Sequence, residues 1–225
     1  MRTGYLGLVL ALVLTAAPVS AQQMDKRGVP YRQWDVDGGF GFVVGDRDEV
    51  AAADENYDEW GGSWIGDVAV GRYWDSHLKT SVGVNAGTST SWYGYETVTV
   101  SPGQQGTAYL FGDTRKTEVT LAGTWQFLDN TFTHPYVSAG ARIGFLDLQS
   151  QRSSYVQAQV NGVWRSFTIP VVERSWREVR TRPFVAIGSK AYFNERLFVR
   201  PELALMFNQS GLRQWGLRLG FGVDF

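Results

Sequence analysis

The stretch Trp215-Gly216-Leu217-Arg218-Leu219-Gly220-Phe221-Gly222-Val223-Asp224-Phe225 decides the fold. Every odd position is apolar, and every even position is small, polar or charged. A period of two is the signature of a β-strand with one apolar and one polar face. The stretch closes on an aromatic residue, Phe225, which keeps the apolar register. Such a strand needs either a packed core or lipid to receive its apolar face. The rest of the sequence distinguishes the two.

At the amino terminus, Arg2 precedes an apolar run from Tyr5 to Ala17, followed by Pro18-Val19-Ser20-Ala21-Gln22. A positive start, a short apolar core and small residues at Val19 and Ala21 read as a secretory signal peptide, residues 1–21, cleaved after Ala21. The run is too short for a membrane-spanning helix, and no second one follows. Residues 22–225 then form one exported domain. Removing Arg2 takes the formal charge from −1 to −2, so no basic field points to nucleic acid. The absence of Cys excludes disulfides and thiolate metal sites. Twenty-six Gly, nine Trp, ten Tyr and thirteen Phe suit a barrel, which hides its apolar residues in alternation.

Eight stretches have the length of a tilted transmembrane strand, about 9–11 residues. They are Trp34–Val44, Trp64–Trp74, Leu78–Thr88, Thr117–Phe127, Pro135–Phe145, Pro183–Phe193, Leu197–Phe207 and the terminal strand. In each, one face is mainly apolar, as in Val137, Ala139, Ala141, Ile143 and Phe145, and the other small or polar, as in Tyr136, Ser138, Gly140, Arg142 and Gly144. The connections Asp75-Ser76-His77, Leu128–His134 and Asn194-Glu195-Arg196 are short. Asp46–Ser63, Thr90–Lys116 and Leu146–Arg182 are long, and Asn208–Gln214 is intermediate. Trp34, Trp74, Phe127, Phe193 and Phe225 fall at one rim; Trp64, Trp92, Phe145, Phe207 and Trp215 fall near the other. Two aromatic girdles around an apolar band, with short and long connections alternating, predict an all-β, eight-stranded antiparallel up-and-down transmembrane β-barrel. Pro201, inside the seventh strand, removes a ladder donor and predicts a bulge or register shift. Arg72 falls on the lipid face near the rim, where its head can snorkel to water.

The terminal strand, its final Phe and the eight alternating stretches resemble the OmpA/OmpX-type outer-membrane barrels, with a barrel alone and no periplasmic domain. The resemblance implies localisation in the cell outer membrane, contact with its lipid and lipopolysaccharide, and a monomer. It also implies recognition of Phe221, Val223 and Phe225 by the barrel assembly machinery.

The inward face carries the charges. A lower layer is expected to hold Asp35, Asp37, Lys79, Lys190, Arg200, Glu202 and Asp224; an upper layer, Asp67, Glu118, Arg142 and Arg218. Six acidic and five basic groups nearly balance, and eight strands leave a lumen that side chains can fill, so a paired polar plug is expected. A gated polar path is the alternative. No catalytic residue, metal ligand or cofactor site is expected. The only histidines, His77 and His134, fall in short connections, whereas barrels that deacylate lipid A carry theirs on the outer face. Asp46–Glu59 reads as a solvated acidic loop. Tyr95–Val100 and Thr107–Phe111 flank one turn segment; Tyr155–Val160 and Val163–Ile169 flank Asn161-Gly162, a type I′ hairpin signal. Tyr155, Trp164 and Phe167 are the expected loop contacts for a surface protein partner. The function reads as non-enzymatic, structural or adhesive; a lipid-modifying membrane enzyme and a narrow pore are the alternatives.

Overall fold

The computed structural model describes residues 32–45, 61–128, 133–208 and 211–225. The signal segment 1–21 and the acidic stretch Asp46–Glu59 lie outside the described residues. The strands are β1 (Trp34–Gly45), β2 (Gly61–Tyr73), β3 (Leu78–Gly87), β4 (Thr90–Ser101), β5 (Gln104–Gln126), β6 (Thr133–Val160), β7 (Val163–Thr168), β8 (Val172–Tyr192), β9 (Leu197–Asn208) and β10 (Gly211–Asp224). Their pairings are antiparallel and run β1–β2–β3–β5–β6–β8–β9–β10 and back to β1. That is a closed eight-stranded barrel, so no ladder edge faces lipid, where each unpaired backbone group costs several kcal/mol. The expected alternation holds: Phe40, Trp64, Val68, Val82, Leu121, Ile187 and Phe221 are exposed outward, while Asp35, Lys79, Glu118, Ser138 and Lys190 are buried inside.

Two short turns at one end are closed by the same device. Asp75 Oδ1 accepts the backbone N–H groups of His77 and Leu78 at 2.7 and 2.6 Å. Asn194 Oδ1 accepts those of Arg196 and Leu197 at 2.9 and 2.8 Å. These Asx turns fix each hairpin without a long loop. At the same end Trp34 and Phe225 exchange backbone bonds of 3.1 and 2.9 Å and fasten β1 to β10.

At the other end the two longest connections are strands, in keeping with the hairpin signals read in them. β5 and β6 run on far past the barrel; β6 has 28 residues, about 90 Å of strand, where a crossing needs only about 10. β4 continues β3 and β7 continues β8, so β4, β5, β6 and β7–β8 form a four-stranded blade above the barrel. Pro102-Gly103 turns β4 into β5, with Gly103 at φ +80°, and Asn161-Gly162 turns β6 into β7 with φ values of +51° and +80°. Two successive positive φ angles make the latter the expected type I′ turn.

One extra residue marks each junction. Between Ala86↔Thr117 and Thr90↔Thr114, four steps on the β3–β4 side face three on β5. A bulge of one residue exchanges the two faces of a strand. Trp92 therefore points inward and is buried, not part of the outer girdle as expected. Between Arg152↔Val172 and Tyr155↔Thr168, three steps on β6 face four on the returning strand, across Ile169-Pro170-Val171. Phe167 consequently lies on the inner side opposite Val156, half-buried, whereas Tyr155 and Trp164 point outward at 63% and 67% exposure. The expected loop-contact trio is thus split between two faces.

Pro201 also corrects an expectation. From Gly188↔Glu202 to Ala191↔Val199 both strands advance three residues, so the register with β8 is kept and the rungs opposite Pro201 and Arg200 are missing. The register with β10 is unbroken at Leu219↔Pro201. A missing N–H removes bonds without adding a residue. His134, expected in a turn, is the second residue of β6 and buried.

Candidate functional site

The lower lumen is built from inward residues on six of the ring strands. Lys79 on β3 donates to Asp35 on β1 at 2.5 Å. Lys190 on β8 donates to Asp35 at 3.2 Å, to Asp224 on β10 at 2.6 Å and to the Tyr73 hydroxyl at 2.6 Å. Tyr73 donates to Asp35 at 3.1 Å, and Tyr192 to Asp224 at 2.5 Å. The Lys190 ammonium also stands 3.9 Å from the Phe198 ring centroid. Two lysines and two aspartates thus neutralise each other in a buried layer, with tyrosines taking further bonds.

The next layer is fastened by two arginines. Arg200 on β9 bonds Asp37 at 3.0 Å, Glu202 at 2.8 Å and the Tyr136 hydroxyl at 2.7 Å; Tyr136 in turn donates to Glu202 at 2.8 Å. Arg218 on β10 reaches both Asp37 and Asp67, with Nε 2.8 Å from each Asp67 oxygen. Asp67 and Arg218, expected in an upper layer, therefore join the lower network through Asp37. Higher up, Glu118 meets Lys116 at 3.1 Å and Arg142 at 3.7 Å, and Asn85 at 3.5 Å. Between these layers lies an apolar band of Val43, Phe184, Ala186, Ala204 and Met206. The cavity left between them measures about 50 Å³, enough for a few waters and no more.

Glycines make the space that these side chains fill. A Cβ on Gly71 would overlap Lys79 and Asp35, and one on Gly188 would overlap the Tyr136 hydroxyl. Beyond the charged groups expected from the sequence, the network takes in Tyr73, Tyr136, Tyr192 and Lys116. The signal for the tyrosines was there: each occupies an inward position of its strand, where a phenol must find a partner.

Along β5, β6 and β8 the polarity of the two faces inverts where the strands leave the barrel. Outward, Phe145 and Val179 give way to a charged row, Arg115–Asp147–Arg177, in which Arg177 bonds Asp147 at 2.7 Å. Inward, Arg142 and Gly144 give way to Leu146 and Leu148, both buried. The blade's inner side continues with Trp92 and Leu110 against Trp176, and with Ala108, Val156 and Ala158. Three charges also sit on that side: Glu96 meets Arg152 at 3.7 Å and Arg174 at 3.5 Å, which ties β4 to β6 and β8. The outer side carries Tyr93 beside Phe111 and Tyr95 beside Tyr109, the latter rings 5.1 Å apart. This aromatic block was not singled out from the sequence, although Tyr95 and Phe111 bound the predicted hairpin.

Phe221 and Phe225 are exposed on the outer face of β10 and Val223 is half-buried between them. His77 stacks on Trp125 with ring centroids 5.3 Å apart, and the His134 ring meets Tyr192 edge-on at 5.7 Å.

No family model matches the sequence, and no curated protein does. Among solved structures the chain is similar to the outer membrane protein OprG from Pseudomonas aeruginosa, at 12% identity over 89% of this chain and 99% of that one, with a TM-score of 0.51. It also matches Neisserial surface protein A at 11% identity, 85% and 97% coverage and a TM-score of 0.47. A third match is the N-terminal β-barrel domain of Pseudomonas aeruginosa OprF, at 15%, 86% and 98%, with a TM-score of 0.46. The likeness to OprG is one of fold. The shared fold is a closed, eight-stranded antiparallel β-barrel, the fold of the outer membrane protein OprG.

Proposed function

We propose that the protein is a non-enzymatic outer-membrane barrel that acts through the blade it holds above the cell surface. On this reading the chain is exported behind residues 1–21, and Phe221, Val223 and Phe225 present the terminal strand to the barrel assembly machinery. It then stands as a monomer among lipopolysaccharide and phospholipid. The observation that carries the reading is the continuity of β5 and β6 from the spanning ring into the blade. A sheet anchored in this way is held at a fixed height and angle, and Tyr155 and Trp164 stay in water at its tip. Exposed aromatics on a rigid support are the usual anchors of a protein contact. The filled lumen supports a structural or adhesive role over transport.

Replacing Tyr155–Ile169 by a short Gly-Ser turn tests the proposal. The shortened chain should fractionate with the outer membrane and keep heat-modifiable gel migration, because the ring is untouched. It should bind host cells, surface matrix or another envelope protein less well than the intact chain. Equal binding leaves a purely structural role.

A further inference from the structure

Among the described residues, the lipid-facing belt between the short-turn rim and the Arg115–Asp147–Arg177 row holds one charged side chain, Arg72. Its recorded contacts are aromatic. The guanidinium carbon lies 4.4 Å from the Trp74 ring centroid and 5.5 Å from that of Trp34. The Trp74 indole is itself held in place, donating to Thr80 Oγ1 at 2.9 Å. Stacking engages the planar faces of a guanidinium and leaves the N–H donors around its edge available, in a fork that matches phosphate.

Beside Arg72 the outer surface is dented. A shallow groove of about 780 Å³ crosses β1, β2, β3, β5 and β6, with Trp34, Arg72, Val82, Leu121 and Gly123 in its walls and floor. Level with Arg72 the register aligns Thr80, Gly123 and Ala139, three small residues on adjacent strands. The next row toward the membrane centre is Val70, Val82, Leu121 and Ala141, apolar throughout. An acyl chain fits such a row, and the cation sits at its rim, at headgroup depth.

We infer that this groove is a binding site for one phospholipid of the leaflet at the short-turn side, its phosphate on the edge of Arg72 and an acyl chain past Gly123 and over Val82, Leu121 and Ala141. A phosphate gives the guanidinium the acceptor that the described residues do not supply, inside an interface where charge-assisted bonds are stronger than in bulk water. Calling that leaflet periplasmic rests on the proposed outer-membrane location; the site itself requires only that the barrel spans a bilayer.

Native mass spectrometry of the full chain, extracted in mild detergent and stripped of lipid by extended washing, provides the test, with phosphatidylglycerol or phosphatidylethanolamine then added back. The wild type should retain one phospholipid. Arg72→Gln should lower retention by about tenfold, the scale of one charge-assisted hydrogen bond. Gly123→Leu should do the same by filling the groove while Arg72 remains. Diacylglycerol, which lacks the phosphate, should not be retained by the wild type. Undiminished retention in either variant, or equal retention of diacylglycerol, overturns the site. Heat-modifiable migration shows in each case that the variant is folded. Membrane fractionation reports separately on location: a chain found outside the outer membrane that still retains the lipid overturns the location and leaves the site standing.

Discussion

Arg218 shows how much a narrow barrel asks of one side chain. It links Asp37 to Asp67, and so joins the charges of β1, β2 and β10. Arg218→Met leaves Asp67 buried without its partner, and breaking a buried pair in this way costs on the order of 3–5 kcal/mol. The melting midpoint of the fast-migrating gel band should fall accordingly. Asp67→Leu added to Arg218→Met should recover much of the loss, since removing both partners is close to neutral. An unchanged midpoint in the single variant would show that the pair contributes nothing. Glycines allow a second contrast at this scale. Gly71→Ala forces its Cβ into Lys79 and Asp35, whereas a Cβ on Gly94 meets nothing within 4 Å. Folding yield should drop for the first and hold for the second.

The elements were legible in the sequence as far as simple alternation carries. Leu197–Asn208 contains the strand expected there, and Leu78–Gly87 and Gly211–Asp224 each end one residue short of theirs. The blade is legible as two hairpins that prolong the barrel strands, but not as one four-stranded sheet with its apolar side turned inward. Above Phe145 the apolar-outward rule reverses: Leu146 and Leu148 face in, and Asp147 and Gln149 face out. Trp92 was misplaced because the extra residue near Gly87 carries no compositional mark, while Pro201 was credited with a bulge it does not make. At the tip, the positive φ of Gly162 gives a direct check on the hairpin. Gly162→Val should cost about 1–2 kcal/mol locally. Amide exchange should rise in β7 and at the end of β6 and stay slow in the ring; exchange that rises in the ring instead would mean that the blade and barrel fold as one cooperative unit.

At the scale of the molecule, the lumen is closed in depth: paired charges below, an apolar band, a second charged layer and the blade's apolar inner side above. Purified protein in planar bilayers should show no steady conductance. Arg142→Met or Arg218→Met should alter stability more than any current. Large, stable single-channel steps from the wild type would mean that the layers part. The near-balance of inward charges in the sequence points to pairing; the joining of the layers through Asp37 is not legible there, because it depends on how far one arginine reaches across strands.

The bonds between Trp34 and Phe225 have a meaning in time as well as in space. Seven of the eight ring ladders join strands adjacent along the ring's own path, and each can form from a local hairpin or its extension. The eighth, β1 with β10, joins the first and last of the ring strands. Contacts so distant in sequence form slowly, because the entropy of closing the loop is lost before any bond repays it. Until that moment the barrel is an open sheet with two unsatisfied edges. Deleting Phe225 removes both of its bonds to Trp34 and should lengthen this stage, seen as accumulation of unassembled chain in a pulse-chase experiment, while deleting Gln22 should leave the rate unchanged. The seam is the ring's longest-range contact in sequence, and how long the unfinished sheet stays exposed should follow the rate at which it forms.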